Sequence, residues 1–354
     1  MIFFRADGNS KIGAGHIMRC LSIADAAMEV GEKIVFYTAG DELSKTIVER
    51  KINNKVIGTD FMKMESELVY LKEELLKYKP KYIFVDSYYV TKKYLTTLLN
   101  CCHSYGGKLV YVDDLMAFAY PCDYLINYNI YGPDMKDTYI KIYADDRIVE
   151  GKSRYPKMLL GIKYVPLRKE FTNLPPRNVR KNPRNILVST GGADTEHVAI
   201  EIVRQLVEMK SYMKTDYRFH IIIGAMNGDR TKIELLAAKS DNIELHINVK
   251  DMVGLMRKCD IAISAAGSTL YELCATQTPT ITYVVADNQM LGAESFQKRG
   301  IMKYLGDIRK EGTKLLVSKM LQEAIRMLTD KEIVNNAFLD NLDGSKSIIQ
   351  EIGV

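Results

Sequence analysis

The sequence lacks the patterns that mark several common protein classes. Six cysteines occur among its 354 residues, but none are spaced as CxxC, so neither a zinc ribbon nor a dithiol redox motif is expected. No apolar run reaches membrane-spanning length, and no basic segment followed by a long apolar run opens the chain. We therefore predict a cytoplasmic protein with buried free thiols, without membrane insertion or a secretory signal.

Two further absences narrow the range of ligands. The net charge is only +5 and no dense Lys/Arg stripe occurs, which suits anionic small molecules and argues against nucleic acid as a partner. Neither half contains a GxxxxGK[ST] loop or a complete GxGxxG motif. ATP hydrolysis and simple NAD chemistry are therefore disfavoured.

The chain instead shows alternating strands and helices in two similar halves. Near-continuous apolar strands separated by helices predict an α/β fold with parallel sheets covered on both faces. A proline-rich, basic segment over 167–184 separates the halves. The predicted strands are 1–4, 33–38, 55–57, 82–85, 108–112 and 123–126 in the first half, and 185–190, 219–223, 243–246, 261–264 and 279–284 in the second. The chain from about residue 292 is predicted to be helical, including 313–328 and 331–340.

The first strand leads into a glycine-rich turn and then a helix. Gly13 and Gly15 precede His16, which falls at the helix start. Unpaired N–H groups and the positive helix dipole favour anions there and favour the neutral imidazole ring. A neutral ring can act as a general base near pH 7. The alternative is an ordinary strand-to-helix turn, since such glycine-rich turns are common in α/β proteins.

Polar residues follow other strands of the first half, where ligands bind parallel sheets. Asp86, Tyr88, Asp113 and Asn129 all fall at or just beyond that edge. An Asp in such a place can equally cap a helix or close a turn. The Asp113-Asp114 pair lacks a third ligand for a metal, and the adjacent cysteines of the 101–103 segment lack zinc-ligand spacing.

The second half offers two candidate nucleotide-binding segments. Gly191-Gly192 follow a strand and precede a helix, as phosphate sites do. In the 264–289 stretch, Gly267-Ser268-Thr269 at a helix start could hold a diphosphate. Glu272, one turn into that helix, could accept hydrogen bonds from ribose hydroxyls, although a capping role or a solvated helix face is about as consistent with its spacing.

Taken together, these motifs resemble one branch of the GT-B superfamily, in which two Rossmann-like domains face each other across a cleft. That branch is the UDP-2,4-diacetamido-2,4,6-trideoxy-β-L-altropyranose hydrolase family of pseudaminic acid biosynthesis, with its spore-coat polysaccharide relatives. The matching motifs, which run to about residue 290, are Arg5-Ala6-Asp7 with Ile12 to His16 and Met18 to Leu21, Val112 to Leu115, Cys122 to Leu125 with Asn129, Leu160-Gly161 with Tyr164 to Arg168, Gly191 to Asp194, Ala266 to Thr269 with Glu272 to Cys274, and Ala286 to Gln289.

The resemblance implies hydrolysis of a UDP-sugar at its anomeric carbon, with inversion, UDP as a product, and neither metal nor cofactor. It makes His16 the catalytic residue. It implies a domain over 1–172 that carries His16 and the sugar pocket, and a UDP-binding domain over 173–354. The final helix could belong with the second domain or pack back on the first, as final helices often do in this architecture. The implied sugar-binding residues are Arg5, Asp7, Gly13, Gly15, Arg19, Tyr88, Asp113 and Asn129. The implied UDP-binding residues are Gly191, Gly192, Asn227, Gly267, Ser268, Thr269, Glu272, Asn288 and Gln289.

Some features depart from that family. Ser87 replaces an expected histidine, Tyr128 replaces an expected glutamine, and the chain has extra length at 131–156 and at its C-terminus. These changes bear on which sugar is bound more than on the reaction. A GT-B glycosyltransferase, in which His16 would deprotonate an acceptor hydroxyl, is the main alternative. A non-catalytic sugar-nucleotide-binding protein is the third, and the intact Gly13-to-His16 segment argues against it.

Overall fold

The chain divides into two compact units. The structure, a computed structural model, describes residues 1–150, 155–178, 180–210, 216–224, 226–330 and 343–354. Unit 1 comprises Met1–Lys169 with Asp343–Val354, and unit 2 comprises Glu170–Leu342. Among the described residues, no helix combines the length and apolarity needed to cross a bilayer.

Unit 1 is built on a seven-stranded parallel sheet. Its strands are β1 (Ile2–Ala6), β2 (Ile34–Thr38), β3 (Asn53–Val56), β4 (Tyr82–Asp86), β5 (Lys108–Val112), β6 (Tyr124–Asn127) and β7 (Lys157–Leu160). Its helices before the second unit are α1 (Gly15–Glu29), α2 (Ser44–Val48), α3 (Leu68–Tyr78), α4 (Lys92–His103) and α5 (Lys136–Glu150). The strand order is β3-β2-β1-β4-β5-β6-β7. Neighbouring strands therefore all end at one edge of the sheet.

The centre of this sheet is buried and contains stacked aromatic side chains. All five residues of β1 are buried. Phe4 stacks between Phe36 of β2 and Phe84 of β4, with ring centroids 5.0 and 4.7 Å away. These three positions are in register across the strands. Burial on both faces explains why residues 2–4 of β1 and 82–85 of β4 are apolar without alternation.

Unit 2 repeats the scheme with six parallel strands. They are β8 (Asn185–Ser189), β9 (Arg218–Ile223), β10 (Ile243–Ile247), β11 (Ile261–Ala265), β12 (Thr280–Val284) and β13 (Lys303–Asp307). The helices are α6 (Val198–Lys210), α7 (Arg230–Ala237), α8 (Met252–Lys258), α9 (Thr269–Ala275), α10 (Asp287–Lys298), α11 (Ile308–Glu311) and α12 (Thr313–Asp330). The strand order is β10-β9-β8-β11-β12-β13. The predicted pair of parallel-sheet α/β domains is thus confirmed.

Each sheet has one edge strand that the sequence does not predict. β7 lies in a segment without strand periodicity, and β13 lies in a stretch that was predicted to be helical. β13 reads Lys-Tyr-Leu-Gly-Asp, is only partly buried over most of its length, and pairs with β12 through a register shift. Edge strands bury less apolar surface, so they lack the apolar run by which central strands are recognised.

A 3-10 turn (Met64–Glu67) leads into α3, which ends at Lys79 in a left-handed conformation just before Pro80. The helix expected over 331–340 lies outside the described residues. All six cysteines are free and buried, which confirms the prediction of buried thiols.

The last helix, α13 (Gly344–Ile352), belongs to unit 1. The Asp343 side chain caps it by accepting a hydrogen bond from Lys346 N. Ile348, Ile349 and Ile352 are buried. A Cβ at Gly344 would overlap the backbone of Val165, so the helix start packs directly on the chain that follows β7.

Candidate active site

The turn from β1 into α1 is held closed by its own backbone. Asn9 N donates to Gly13 O (3.2 Å), and Gly13 N donates to Asn9 O (2.8 Å). Gly13 has a φ of +73°, a left-handed conformation that glycine adopts without steric cost. α1 begins at Gly15, so His16 lies in the first turn of the helix, where the sequence predicts it.

His16 meets a carboxylate from the neighbouring strand. β1 pairs with β4, and Ala6 is in register with Asp86, so α1 starts beside the end of β4. The His16 Nδ1 atom lies 2.6 Å from Asp86 Oδ1. The Asp86 side chain is fully buried and that of His16 is 5% exposed. The pair is therefore largely shielded from water, which strengthens its electrostatic interaction.

Arg19, one turn further along α1, holds Asp86 in place. Its Nε donates to Asp86 Oδ2 and its Nη2 donates to Asp86 Oδ1, both at 2.5 Å. Burial alone would raise the pKa of Asp86, but the charge of Arg19, with a smaller contribution from His16, holds that pKa well below its usual range. Asp86 is therefore a carboxylate at every working pH.

The charge on Asp86 decides which nitrogen of His16 carries the proton. His16 Nδ1 lies 2.6 Å from Asp86 Oδ1 and 3.0 Å from Arg19 Nη2, which itself donates to Asp86. The nearer contact is with the negative carboxylate, which would repel a bare lone pair, so we assign the hydrogen to Nδ1, where it is donated to Asp86. The lone pair of the neutral ring is then on Nε2. A histidine whose Nδ1–H is held by a carboxylate can accept a proton at Nε2 and be stabilised as it becomes positive.

A second carboxylate, Asp114, accepts hydrogen bonds from the polar side chains around the His16–Asp86 pair. Arg19 Nη1 donates to Asp114 Oδ2 (2.6 Å), Tyr88 Oη donates to the same oxygen (2.9 Å), and Asn129 Nδ2 donates to Asp114 Oδ1 (2.9 Å). The Tyr88 ring meets that of His16 edge-on, with centroids 4.4 Å apart. Arg19 Nη1 also donates to Tyr128 Oη (2.9 Å). Tyr88, Asn129 and Arg19 are thus brought together with His16.

Asp113 faces a different way from its neighbour. Its Oδ1 accepts hydrogen bonds from Leu115 N (2.9 Å) and Met116 N (3.2 Å), and its Oδ2 accepts one from Tyr139. The residue is 1% exposed, and burial raises the pKa of its carboxyl. Asp113 closes the turn after β5, and Asp114 is the member of the pair that joins the His16 cluster.

Arg5 and Asp7 form a separate buried ion cluster. Arg5 Nε and Nη2 donate to the two carboxylate oxygens of Glu67 (2.7 and 2.8 Å), and Arg5 Nη1 donates to Asp7 Oδ2 (2.6 Å). Asp7 Oδ1 accepts a hydrogen bond from Ala39 N (2.7 Å). Arg5 has no exposed surface, so its donors stabilise the base of the β1–α1 turn.

In unit 2, the Gly191-Gly192 turn follows β8 and packs against the end of β9. Gly191 has a φ of +89°. A Cβ at Gly224 would lie 2.6 Å from Gly191 O and would also overlap Gly192 O. Met226 N donates to Gly192 O (3.2 Å). The two strand ends are therefore in direct backbone contact.

Asn227 joins this region through Asp194. Asp194 caps α6 by accepting hydrogen bonds from Val198 N (3.0 Å) and Ala199 N (2.9 Å). Asn227 Nδ2 lies 3.3 Å from Asp194 Oδ2. Beside them, the Thr190 hydroxyl is buried and has no hydrogen-bond partner among the described residues, which leaves a donor and acceptor for a ligand.

The remaining predicted nucleotide residues follow β11 and β12, which are neighbours in the sheet. Gly267 and Ser268 are exposed, and Thr269 and Glu272 are half-buried in the first turn of α9. Asn288 and Gln289 lie in the first turn of α10, where Gln289 Oε1 accepts a hydrogen bond from Val285 N (2.9 Å). Unit 2 therefore brings its predicted residues to the ends of adjacent strands.

Sequence reasoning places Asp86 at the correct sheet edge but assigns it no role, and it misses Asp114 and Gly224. It names Tyr128 only as a departure from the family pattern that bears on which sugar is bound. The available signal for Asp86 is its position as the last residue of an apolar strand next to β1. For Gly224 the signal is a glycine directly after a strand. Nothing in the spacing distinguishes Asp114 from Asp113.

Comparison with known proteins supports the resemblance to GT-B enzymes. Residues 185–351, just under half of the chain, match the glycosyltransferase family 28 C-terminal domain. The structure of MurG from Acinetobacter baumannii aligns with a TM-score of 0.66 at 12% identity, covering 99% of this chain and 98% of that one. The UDP-GlcNAc 2-epimerase of Methanocaldococcus jannaschii in complex with UDP-GlcNAc and UDP aligns with a TM-score of 0.57 at 16% identity, covering 99% of each chain.

Sequence relatives extend over most of the chain. The uncharacterized protein MJ1062 of M. jannaschii is 23% identical over 92% of this chain, which spans 65% of that protein's length. Spore coat polysaccharide biosynthesis protein SpsG of Bacillus subtilis is 22% identical, covering 85% of this chain and 82% of SpsG. The UDP-2,4-diacetamido-2,4,6-trideoxy-β-L-altropyranose hydrolase of Campylobacter jejuni is 24% identical, covering 84% of this chain and 97% of that protein. The chain therefore has the GT-B fold, and over most of its length it is similar in sequence to SpsG and to the C. jejuni UDP-2,4-diacetamido-2,4,6-trideoxy-β-L-altropyranose hydrolase.

Proposed function

We propose that this protein hydrolyses a UDP-linked 2,4-diacetamido-2,4,6-trideoxy sugar at the anomeric carbon, inverting its configuration and releasing UDP, in pseudaminic acid biosynthesis. The observation that carries the proposal is the His16–Asp86–Arg19 arrangement, which leaves His16 Nε2 as a base. The C. jejuni relative bears the name of this activity.

In this reaction His16 Nε2 takes a proton from water as the water oxygen attacks the anomeric carbon. The bond between that carbon and the phosphate oxygen breaks, and its electron pair leaves with UDP. Asp86 orients the ring and stabilises the imidazolium that forms, as the acid of a catalytic triad does. UDP is stabilised as a leaving group by its own phosphates, so the mechanism requires no separate strong acid and no metal step.

We assign UDP recognition to unit 2. Gly267, Ser268 and Thr269 would bind the diphosphate through backbone N–H and hydroxyl groups. Glu272 would accept hydrogen bonds from the ribose. The further UDP-binding residues of the proposal are Gly191, Gly192, Asn227, Asn288 and Gln289. In unit 1, Tyr88, Asn129 and Asp114 surround His16 and are our candidates for the acetamido groups of the sugar.

The test is release of UDP from the diacetamido-trideoxy-altrose substrate in the presence of EDTA, without any acceptor. The proposal expects multiple turnovers and a free sugar of inverted anomeric configuration by NMR. A glycosyltransferase is the second candidate, favoured by the family 28 domain match and the MurG-like fold. It expects little UDP release until an acceptor is added. UDP binding without turnover in either assay would contradict both.

Asp86→Asn is expected to lower kcat about 10²-fold, part of what a general base contributes. The asparagine side chain has only one acceptor oxygen, whereas His16 Nδ1–H and Arg19 Nε donate to two different oxygens of Asp86. One of these two hydrogen bonds is therefore lost in the variant. Asp123→Asn, at the His103–Asp123 pair, is the control, and a wild-type kcat for Asp86→Asn would refute the assigned role.

Gly224→Ala is expected to weaken UDP binding about tenfold, a loss comparable with one hydrogen bond. The added Cβ would overlap the carbonyl oxygens of Gly191 and Gly192 and displace that turn. Gly228→Ala is the matched control, since a Cβ there meets nothing within 4 Å. Calorimetric titration with UDP measures both. Equal UDP affinity of the two variants would show that the turn does not contact the nucleotide.

A further inference from the structure

A cluster of metal-ligating side chains lies in unit 2, apart from every residue assigned above. His220 is on β9, and Glu244 and His246 are on β10. The strands pair in parallel with Glu244 opposite His220, and residues 244 and 246 point to the same face of the sheet. The side-chain nitrogen and oxygen atoms of the three residues all lie within 4.8 Å of one another.

The spacing of these atoms matches that of a metal's ligands. His220 Nδ1 lies 3.0 Å from His246 Nε2 and 3.2 Å from Glu244 Oε2. His246 Nε2 lies 3.5 Å from Glu244 Oε1. Four ligands bound tetrahedrally to zinc at its usual bond lengths stand about 3.3 Å apart. An ion could therefore contact all three groups without a large movement of the backbone.

A neighbouring residue sets the tautomer that metal binding needs. His220 Nε2 lies 3.2 Å from Asn185 Oδ1, an acceptor, so Nε2 carries the hydrogen. The lone pair of His220 is therefore on Nδ1, the atom that faces His246 and Glu244. Metal-bound histidines commonly donate their second N–H to a carbonyl in this way.

We propose that His220, Glu244 and His246 bind one Zn²⁺ ion, with water in the remaining position. Two imidazoles and one carboxylate form a ligand set that zinc accepts. Glu244 is half exposed, so an ion can enter from solvent. The site would clamp β10, the outer strand of the sheet, to β9.

This site is separate from the proposed nucleotide residues. Asn185 is the first residue of β8, whereas Gly191 follows the end of the same strand. In the strand register His220 lies opposite Leu187, in the middle of β8, and opposite Glu244 on β10. None of the three ligands is a residue assigned to UDP, so the ion takes no part in the proposed hydrolysis. Two cations oppose the ion: Lys258, whose Nζ lies 3.5 Å from Glu244 Oε2, and Arg218, whose charge also acts on His220.

The test is equilibrium dialysis of the full-length, untagged chain against Zn²⁺ after treatment with EDTA, with metal analysis of the protein. We expect one Zn²⁺ per chain. Glu244→Gln changes a half-exposed side chain and should leave the fold intact, yet we expect it to lower zinc affinity at least tenfold. His246→Ala should do the same, and Lys258→Met should raise the affinity because it removes a competing charge.

His103→Ala is the matched control, because it removes a histidine that also contacts a carboxylate, at an exposed site in unit 1. It should bind zinc as the wild type does. Zn²⁺ should also raise the thermal unfolding midpoint of the wild type and of His103→Ala but not that of Glu244→Gln. Wild-type zinc binding no tighter than that of Glu244→Gln would overturn the proposal. UDP release in EDTA tests the hydrolase independently.

Discussion

Replacement of His16 by alanine is expected to lower kcat for UDP release by about 10²–10⁴-fold, the range that a general base contributes. Nε2 is the ring atom left with a lone pair once Nδ1–H is donated to Asp86. Without the ring, water must attack the anomeric carbon without losing its proton to the protein. The affinity for UDP should stay within about twofold, since every residue assigned to UDP lies in unit 2.

Steady-state turnover with calorimetric titration of UDP separates these two effects. His103→Ala serves as the control, because His103 is an exposed histidine beside a carboxylate in the same unit. Retention of more than a tenth of wild-type kcat by His16→Ala would mean that another group is the base. Loss of UDP affinity together with turnover would point to a folding defect, which circular dichroism would detect.

The sequence is most informative about the centre of each sheet. β1, β4 and β11 are buried on every residue. The apolar runs within them are visible in the sequence because burial on both faces of a sheet favours apolar side chains at successive positions. The same argument predicts which polar residues stand at the ends of the strands, since parallel strands end at one edge. It therefore places His16 and Asp86 at the same edge before any distance is known.

Contacts between side chains that are distant in sequence could not be predicted in this way. Asp113 and Asp114 are both polar residues after a strand, and only the folded chain decides that Tyr139 meets one and Arg19 the other. Arg19 looks like a substrate ligand from its motif, yet its guanidinium donates to Asp86, Asp114 and Tyr128. The edge strands β7 and β13 are not predicted either, because a partly buried strand does not need the apolar run by which central strands are recognised.

Arg5 occupies the same opening motif as His16, but its environment gives it a structural role. Its guanidinium is fully buried between Glu67 and Asp7, and Tyr94 Oη donates to Glu67 Oε1 (2.6 Å). Burial alone would lower the pKa of Arg5, but the two carboxylates raise it above its usual range. The arginine is therefore permanently charged, and it is the cation in direct contact with these two buried acids.

Arg5→Met is therefore expected to lower the free energy of unfolding of unit 1 by about 3–5 kcal/mol, the cost of leaving a buried ion cluster without one partner. Methionine fills much of the volume, so the loss reflects the uncompensated carboxylates of Asp7 and Glu67 more than a cavity. Hydrogen exchange of peptides from β1 and β4 in urea measures unit 1 separately from unit 2.

Arg50→Met is the matched control, because Arg50 pairs with Asp25 at a partly exposed site of the same unit, where water solvates an unpaired charge better than it does in a fully buried cluster. If Arg5→Met cost no more than Arg50→Met, the buried cluster would be dispensable for folding, and the place of Arg5 in the motif would have to be explained by contact with substrate. A large loss of stability with normal turnover in the folded fraction would instead assign Arg5 to the support of the turn that carries His16.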